Sequence, residues 1–279
     1  MNLPIFSHLT SRALIAVRGE GWRPFLQNLL TNDVEALEPG RARAALLLTP
    51  QGKFLFDLFV IAGDDHALLD VQAARREALV QRLKLYRLRA KVEIEPMEGA
   101  VLAAWGADPG PGWTPDPRLA ALGWRGYGLG PAVGTLGEDA YDAHRLALGA
   151  PDPALDCEPD KTFPLEADYD LLNAIDFHKG CYIGQETTSR MKRRSAVKTR
   201  MAPLAFDGPA PAPGTPVEAP GGLRAGEVLS GGEGRALALL RLDRVIGGGL
   251  SVEGRPVRLD VPAWWPEGTL PSPAEAAAD

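Results

Sequence analysis

The sequence predicts an α+β chain that closes with a small all-β module. Three observations carry that prediction. Residues 43–71, RAALLLTPQGKFLFDLFVIAGDDHALLDV, read as three strands joined by two tight turns. Two amphipathic segments, 73–89 and 138–149, have helical rather than strand periodicity. From about residue 200 the composition shifts to short apolar runs broken by Pro and Gly, the pattern of short antiparallel strands.

Each element follows in order. GEGWRPFLQNLLTNDVEAL predicts a helix through Phe25, Leu26, Leu29 and Leu30, with Pro24 at its first position and Thr31-Asn32-Asp33 as a polar stop. In the strand run, Thr49-Pro50-Gln51-Gly52 suits a type I turn, and Gly63-Asp64-Asp65 makes the second. Phe54, Phe56, Leu58 and Val60 share one face, and Leu55, Phe59 and Ile61 dominate the other. A strand apolar on both faces belongs inside its sheet. Segment 73–89 places Leu79, Leu83 and Tyr86 on one stripe. VEIEP and AVLAAWGA read as strands, and 107–118 as a Pro/Gly-rich loop. EDAYDAHRLALG is a helix closed by Gly149, followed by a Pro-rich connection over 150–164. The predicted division is 1–200, with subdomains of about 1–95 and 96–200, then a β-module at 201–265 and a disordered tail at 266–279.

Bulk composition narrows the function. The chain has 279 residues and a net charge of −6, against the profile of a general nucleic-acid binder. No run approaches the roughly 18 apolar residues of a membrane span. The N-terminal stretch has no basic leader with an apolar core, so no secretory signal is expected. Two cysteines cannot make a disulfide framework, which favours a reducing, cytoplasmic setting. The abundance of Ala, Arg, Gly and Pro has the look of GC-rich bacterial coding. Two basic runs stand out against the acidic total: RLKLYRLRAK at 82–91 and SRMKRRSAVKTR at 189–200. They are either solvated faces or local anion sites.

The stretch HKGCYIGQE, 178–186, sets Cys181 among a cation, two glycines, an amide and a carboxylate. His178 and Lys179 favour a thiolate, the glycines admit close backbone approach, and Gln185 and Glu186 offer hydrogen bonds. The residues alone leave a packed and a functional cysteine both open. The four histidines show no zinc spacing with the two cysteines, and a resident iron–sulfur cluster needs about four cysteines, so no metal site is expected. A hydrolytic Cys–His pair finds no support in the spacing of His178. Cys157 has no such surroundings and reads as structural or incidental.

KGCYIGQE resembles the K-G-C-[FYW]-x-G-Q-E signature of the YgfZ family of folate-binding proteins of iron–sulfur cluster metabolism, relatives of the glycine-cleavage T-protein, an aminomethyltransferase. FLQNLLTNDV, LLTPQGKFLFDLFV, LKLYRLRAKVEI and the C-terminal AGEVLS and ALALLRLDRV resemble the family's other segments, so the likeness spans about 1–260. Ser195 stands where the family often has Gly. The resemblance implies a T-protein-like fold of two α+β subdomains and a C-terminal β-barrel around a central channel, with tetrahydrofolate or a derivative as cofactor. It implies Cys181 as the functional thiol, with Lys179 tuning it. Asn32, Tyr182, Gln185 and Glu186 would meet the pterin, and Arg194 and Arg200 the anionic tail. The implied partners are folate and client iron–sulfur enzymes or cluster-assembly proteins, with no membrane and no direct nucleic-acid contact. The implied function is assembly or repair of iron–sulfur clusters. A folate-dependent aminomethyltransferase or demethylase and a non-catalytic folate-switched adaptor are the alternatives. Where the T-protein has an Asn and a catalytic acid, spacing puts Asp70 and Glu77 here, which weighs against aminomethyl transfer.

Overall fold

The computed structural model describes residues 3–193 and 197–272. The chain divides into two compact units, Met1–Asp142 with Pro159–Lys161 and Leu172–Ser189, and Ala143–Glu158 with Thr162–Leu171 and Arg190–Asp279. The second unit therefore recruits two segments well upstream of residue 200.

The first unit opens with β1 (Ile5–His8), β2 (Arg12–Arg18) and α1 (Trp22–Gln27), then β3 (Ala42–Leu48), β4 (Phe54–Ala62) and β5 (His66–Gln72). It continues with α2 (Arg76–Arg87), β6 (Glu93–Met97), β7 (Val101–Trp105), β8 (Trp113–Pro115) and β9 (Trp124–Tyr127). The three predicted strands are present, and the predicted turn closes with Gly52 N–H donating to the Thr49 carbonyl at 2.9 Å. They join a five-stranded antiparallel sheet in the order β3-β4-β5-β2-β6, in which β4 lies between β3 and β5 as its two apolar faces require. A second sheet has the order β1-β7-β9-β8.

The larger sheet buries Ile15, Val17, Phe56, Leu58, Val60, Leu69 and Val71 against Leu26 and Leu30 of the α1 region and Leu79, Val80 and Leu83 of α2. Here α1 departs from expectation. It begins at Trp22, so Pro24 is its third residue, where a missing N–H is still harmless. Trp22 is 2 % exposed, and its burial sets the start of the helix. Leu29 and Leu30 lie beyond the helix, and Leu30 makes a bridge to Leu47. The loop predicted over 107–118 contains β8, held against β9.

The unit boundary falls within α3 (Glu138–Leu148), whose C-cap Gly149 adopts φ 69° as predicted. The expected connection over 150–164 contains a short helix, α4 (Pro153–Asp156), capped by the Asp152 carboxylate on Ala154 N–H. Helix α5 (Gln185–Arg193) follows the HKGCYIG turn.

The second unit holds β10 (Thr199–Ala205), β11 (Pro216–Ala219), β12 (Leu223–Gly232), β13 (Arg235–Arg241), α6 (Leu242–Val245), β14 (Ser251–Val252), β15 (Arg255–Pro256) and β16 (Arg258–Leu259). The sheet order is β15-β14-β11-β12-β13-β10-β16. Its two edge strands are separated in sequence by Val257 alone. A sheet whose edges are consecutive in the chain has to curl on itself, which is the barrel the sequence predicted. Glu253 and Gly254, at φ 52° and 75°, make the tight β14–β15 turn with both central residues left-handed. The barrel core is Ala202, Leu204, Val217, Val228, Ala236, Ala238, Leu240 and Trp265, with Leu270 packed against it. The tail expected to be disordered from 266 thus continues as structure through a Pro266–Thr269 turn, and 273–279 lie outside the described residues. Among the described residues, no helix is long and apolar enough to cross a membrane.

Candidate functional site

The HKGCYIGQE turn is built by three anchors. Asp176 N–H donates to the Thr31 carbonyl at 3.0 Å, and the Asp176 carboxylate accepts from the N–H groups of His178 and Lys179 at 2.7 and 3.2 Å. This is an Asx turn, a side chain folding its own backbone. The Lys179 ammonium then donates to three backbone carbonyls: Gln27 at 2.7 Å, Leu30 at 2.7 Å and Asn32 at 2.8 Å. Those carbonyls belong to the end of α1 and the turn after it, where orphaned acceptors and the negative end of the helix dipole favour a cation. Burial pulls the Lys179 pKa down to about 8, opposed by the nearby carboxylates of Asp33, Asp176 and Glu35. All three ammonium protons are therefore committed to main-chain oxygens. Its geometry is that of a structural cap on this turn.

The third anchor is Gly184, at φ 82°. A Cβ there would come within 2.6 Å of the Thr49 carbonyl and 2.9 Å of Gly52 Cα. Gly52, at φ 78°, meets Thr187 Cβ at 2.8 Å by the same test. The two motifs singled out in the sequence, TPQG and KGCYIGQE, thus pack glycine to glycine. Gly180 has open space around its Cα and no such requirement.

Between these anchors, Cys181 is exposed while Cys157 is buried. Its neighbour Tyr182 is buried, with the Lys179 ammonium 5.5 Å from its ring centroid. Burial raises the Tyr182 hydroxyl pKa to about 12, opposed by Thr188 and reinforced by the Asp176 carboxylate. Gln185 reaches the Gly180 carbonyl at 3.4 Å, and Glu186 is exposed in the first turn of α5. The arrangement presents one thiol on a turn that is fixed from both sides.

The residues nominated for a folate fare unequally. Asn32 is 5 % exposed, and its amide N–H groups donate to the carbonyls of Ala44 and Asn173, both at 2.7 Å. Its oxygen accepts from Asp33 N–H at 2.9 Å. The side chain ties β3 to the approach of the signature, with both amide N–H groups spent on main-chain carbonyls. In the second unit, Arg200 is buried, donating to Asp168 at 2.6 Å, Asp170 at 3.0 Å and the Leu165 carbonyl at 2.9 Å. It is neutralised where it stands and is no tail-binding cation. Lys192 likewise pairs with Asp170 at 2.9 Å. Arg194 lies outside the described residues. Gln185 and Glu186 retain accessible polar groups, and Tyr182 offers little more than the edge of a buried ring.

Sequence reasoning missed a buried charge network in the first unit. Arg12 donates to Asp57 at 2.7 Å and to Asp70 at 2.6 Å. Arg125 reaches Asp70 at 3.2 Å and Asp116 at 3.4 Å, and Arg118 pairs with Asp116 at 2.8 Å. Three guanidiniums also face the Phe59 ring, at 5.7, 5.0 and 4.4 Å for Arg12, Arg118 and Arg125. Burial opposes the charge on Arg12, yet Asp57 and Asp70 hold its pKa above the ordinary value. Burial likewise opposes ionisation of Asp116, but Arg118 and Arg125 hold its pKa below the ordinary one. Burial and the nearby Asp70 raise the Tyr127 phenol well above its own. The signal in the sequence was Asp57, a lone charge in the apolar run FLFDLFV. Asp70, placed by spacing near a transferase acid, belongs to this network, and Glu77 is an exposed first-turn residue of α2.

Comparison with known proteins places the chain. Residues 198–267 match the family model for the CAF17 C-terminal beta-barrel domain. The human iron-sulfur cluster assembly factor IBA57, mitochondrial, is 34% identical, covering 92% of this chain and 84% of the human protein. The chain belongs to the IBA57 family. The mouse member is 32% identical over the same shares of both chains. The homologue of Neurospora crassa is 33% identical, over 79% of this chain and 58% of its own length. The crystal structure of glycine cleavage system aminomethyltransferase T from Bartonella henselae superimposes with a TM-score of 0.74 at 19% identity, covering 92% of this chain and 84% of that one. The expected aminomethyltransferase-like fold with a C-terminal barrel is therefore present, and the family shown is IBA57.

Proposed function

We propose that this chain is an iron–sulfur cluster assembly factor that acts through the thiol of Cys181. The observation that carries the reading is the exposed Cys181 on a turn held by the Lys179 cap and the Gly184 packing. The human and mouse relatives are iron-sulfur cluster assembly factors by name, which supports it. In this reading the Cys181 thiol loses its proton to solvent and forms an iron–sulfur bond to a cluster or iron in transit. A cluster takes about four such ligands. Cys157 is buried, so the chain brings one accessible thiol, and the remaining ligands come from a client or another assembly protein.

Folate enters this reading on fold likeness alone. Of the residues nominated from the sequence, Asn32 and Arg200 make hydrogen bonds within the protein, and no step is routed through folate. Titration with tetrahydrofolate and its polyglutamate by calorimetry decides that part separately.

The test is to delete the gene, follow the specific activities of cluster-dependent enzymes, and restore the gene. Activities that fall on deletion and return on restoration, with enzyme protein levels unchanged, fit the proposal. Activities that do not fall would overturn it.

A further inference from the structure

The end of α2 presents a surface that the reading above does not use. Arg82, Lys84, Arg87, Arg89 and Lys91 are all exposed, and among the described residues no carboxylate comes within ion-pair distance of any of them. Leu85 and Leu88 stand among these cations, 70% and 88% exposed. Leu88 occupies the helix C-cap at φ 42°, a left-handed conformation that a branched apolar residue adopts at a cost. Helical spacing sets Arg82 and Leu85 on one face, three residues apart, and Leu88 follows directly after the last helical residue, Arg87.

Beside this row lies a cleft of about 440 Å³, lined by Arg18, Arg87, Lys91 and Glu93, with Gly19 in its wall. Its walls are fixed. Ala90 N–H donates to the Arg87 carbonyl at 2.7 Å, and Val92 N–H to the Ala90 carbonyl at 3.0 Å. Gly19, at φ 109°, admits the Lys91 carbonyl to 2.5 Å of where a Cβ would sit. A preformed concave site with three cations suits discrete carboxylates, and the two leucines beside it suit apolar side chains.

The structure assigns this surface to docking an acidic segment of a partner protein that carries apolar side chains among its carboxylates. Charge complementarity selects the occupant, because the basic surface stands on a chain of net charge −6. Glu93 in the cleft, with Glu95 and Glu98 exposed close by in sequence, favours a peptide over a membrane. A peptide can set its acids against the cations alone, whereas a uniformly anionic lipid surface meets the glutamates too. The surface is independent of Cys181, so its failure would leave the proposed function standing.

The probe is a short fluorescent peptide of Asp and Glu with two leucines three residues apart, titrated with full-length protein and read by anisotropy. Saturable binding that weakens with added salt is expected. Arg87→Glu with Lys91→Glu should weaken it at least about tenfold. Leu85→Ala with Leu88→Gly should weaken it several-fold while leaving the fold intact, since Gly suits the φ of residue 88. No saturable binding, equal binding by the variants, equal binding of a leucine-free peptide, or binding to phosphatidylglycerol vesicles but not to the peptide would each overturn the assignment.

Discussion

Lys179 and Cys181 lie two residues apart, yet the chain commits the ammonium of the first to three carbonyls and leaves the second exposed. One residue makes the turn, and the other uses it. The charged side chain nearest the thiol in sequence is thus the scaffold on which that thiol is presented.

The division of labour predicts the cost of losing Lys179. Lys179→Met leaves the carbonyls of Gln27, Leu30 and Asn32 without their shared donor, and charge-assisted hydrogen bonds of this kind are worth about 1.5–3 kcal/mol. Denaturant titration should show a stability loss of that size. Lys179→Arg should not restore it, because a planar fork cannot address three converging oxygens as a compact ammonium does.

The two glycines flanking the thiol should behave differently. Gly184→Ala places a Cβ 2.6 Å from the Thr49 carbonyl at a left-handed φ, and should cost about 1–3 kcal/mol. Gly180→Ala meets nothing within 4 Å and should stay within about 0.5 kcal/mol of wild type. Equal midpoints for the two variants would contradict the packing described.

The buried network around Phe59 makes a larger prediction. Arg125→Met removes one guanidinium and leaves Asp70 and Asp116 under-compensated in the interior. Breaking such a cluster costs about 3–5 kcal/mol. Urea denaturation should detect it, and a change below 1 kcal/mol would mean the carboxylates find water instead.

Asp156 contributes to the pH dependence, beside the buried Asp168, whose pKa burial raises to about 8. Burial raises the Asp156 pKa to about 6 despite the Arg145 partner at 3.0 Å, and its Oδ1 atom is buried without a hydrogen-bond partner. The folded state therefore holds the proton more tightly than the unfolded state does. The stability this contributes is complete below the ordinary carboxylate pKa of about 4 and is lost as pH rises through 6. Asp156→Asn should lessen the slope of the stability profile between about pH 4 and 6 and leave the part that Asp168 contributes. A variant that keeps the wild-type slope would assign the slope to other groups.

Much of the fold is legible in the residues themselves. The strand pattern from 43 to 71, the TPQG turn, the Leu79–Leu83 stripe and Gly149 all depend on neighbours in sequence, and each formed as read. The helix over Pro153–Asp156 was missed, read as part of a Pro-rich connection, although Asp152 before Pro153 is a cap followed by a helix-opening proline. The site was harder. The residues around Cys181 left a packed and a functional thiol both open, and its exposure is a finding of the structure. That Lys179 and Asn32 are consumed by backbone carbonyls could not be read, since their acceptors come from segments as far as 152 and 141 residues away. Arg200 looked like part of an uncompensated basic run because its acids lie about 30 residues upstream, beyond any local window.

The measurement that bears most directly on the account compares Lys179→Met and Cys181→Ala in the same two assays, thermal denaturation and restoration of cluster-dependent enzyme activity in a strain lacking the gene. Cys181→Ala should keep the wild-type melting temperature and fail to restore activity, whereas Lys179→Met should melt several degrees lower. A Cys181→Ala protein that restores activity as fully as wild type would contradict the central claim that this thiol does the work.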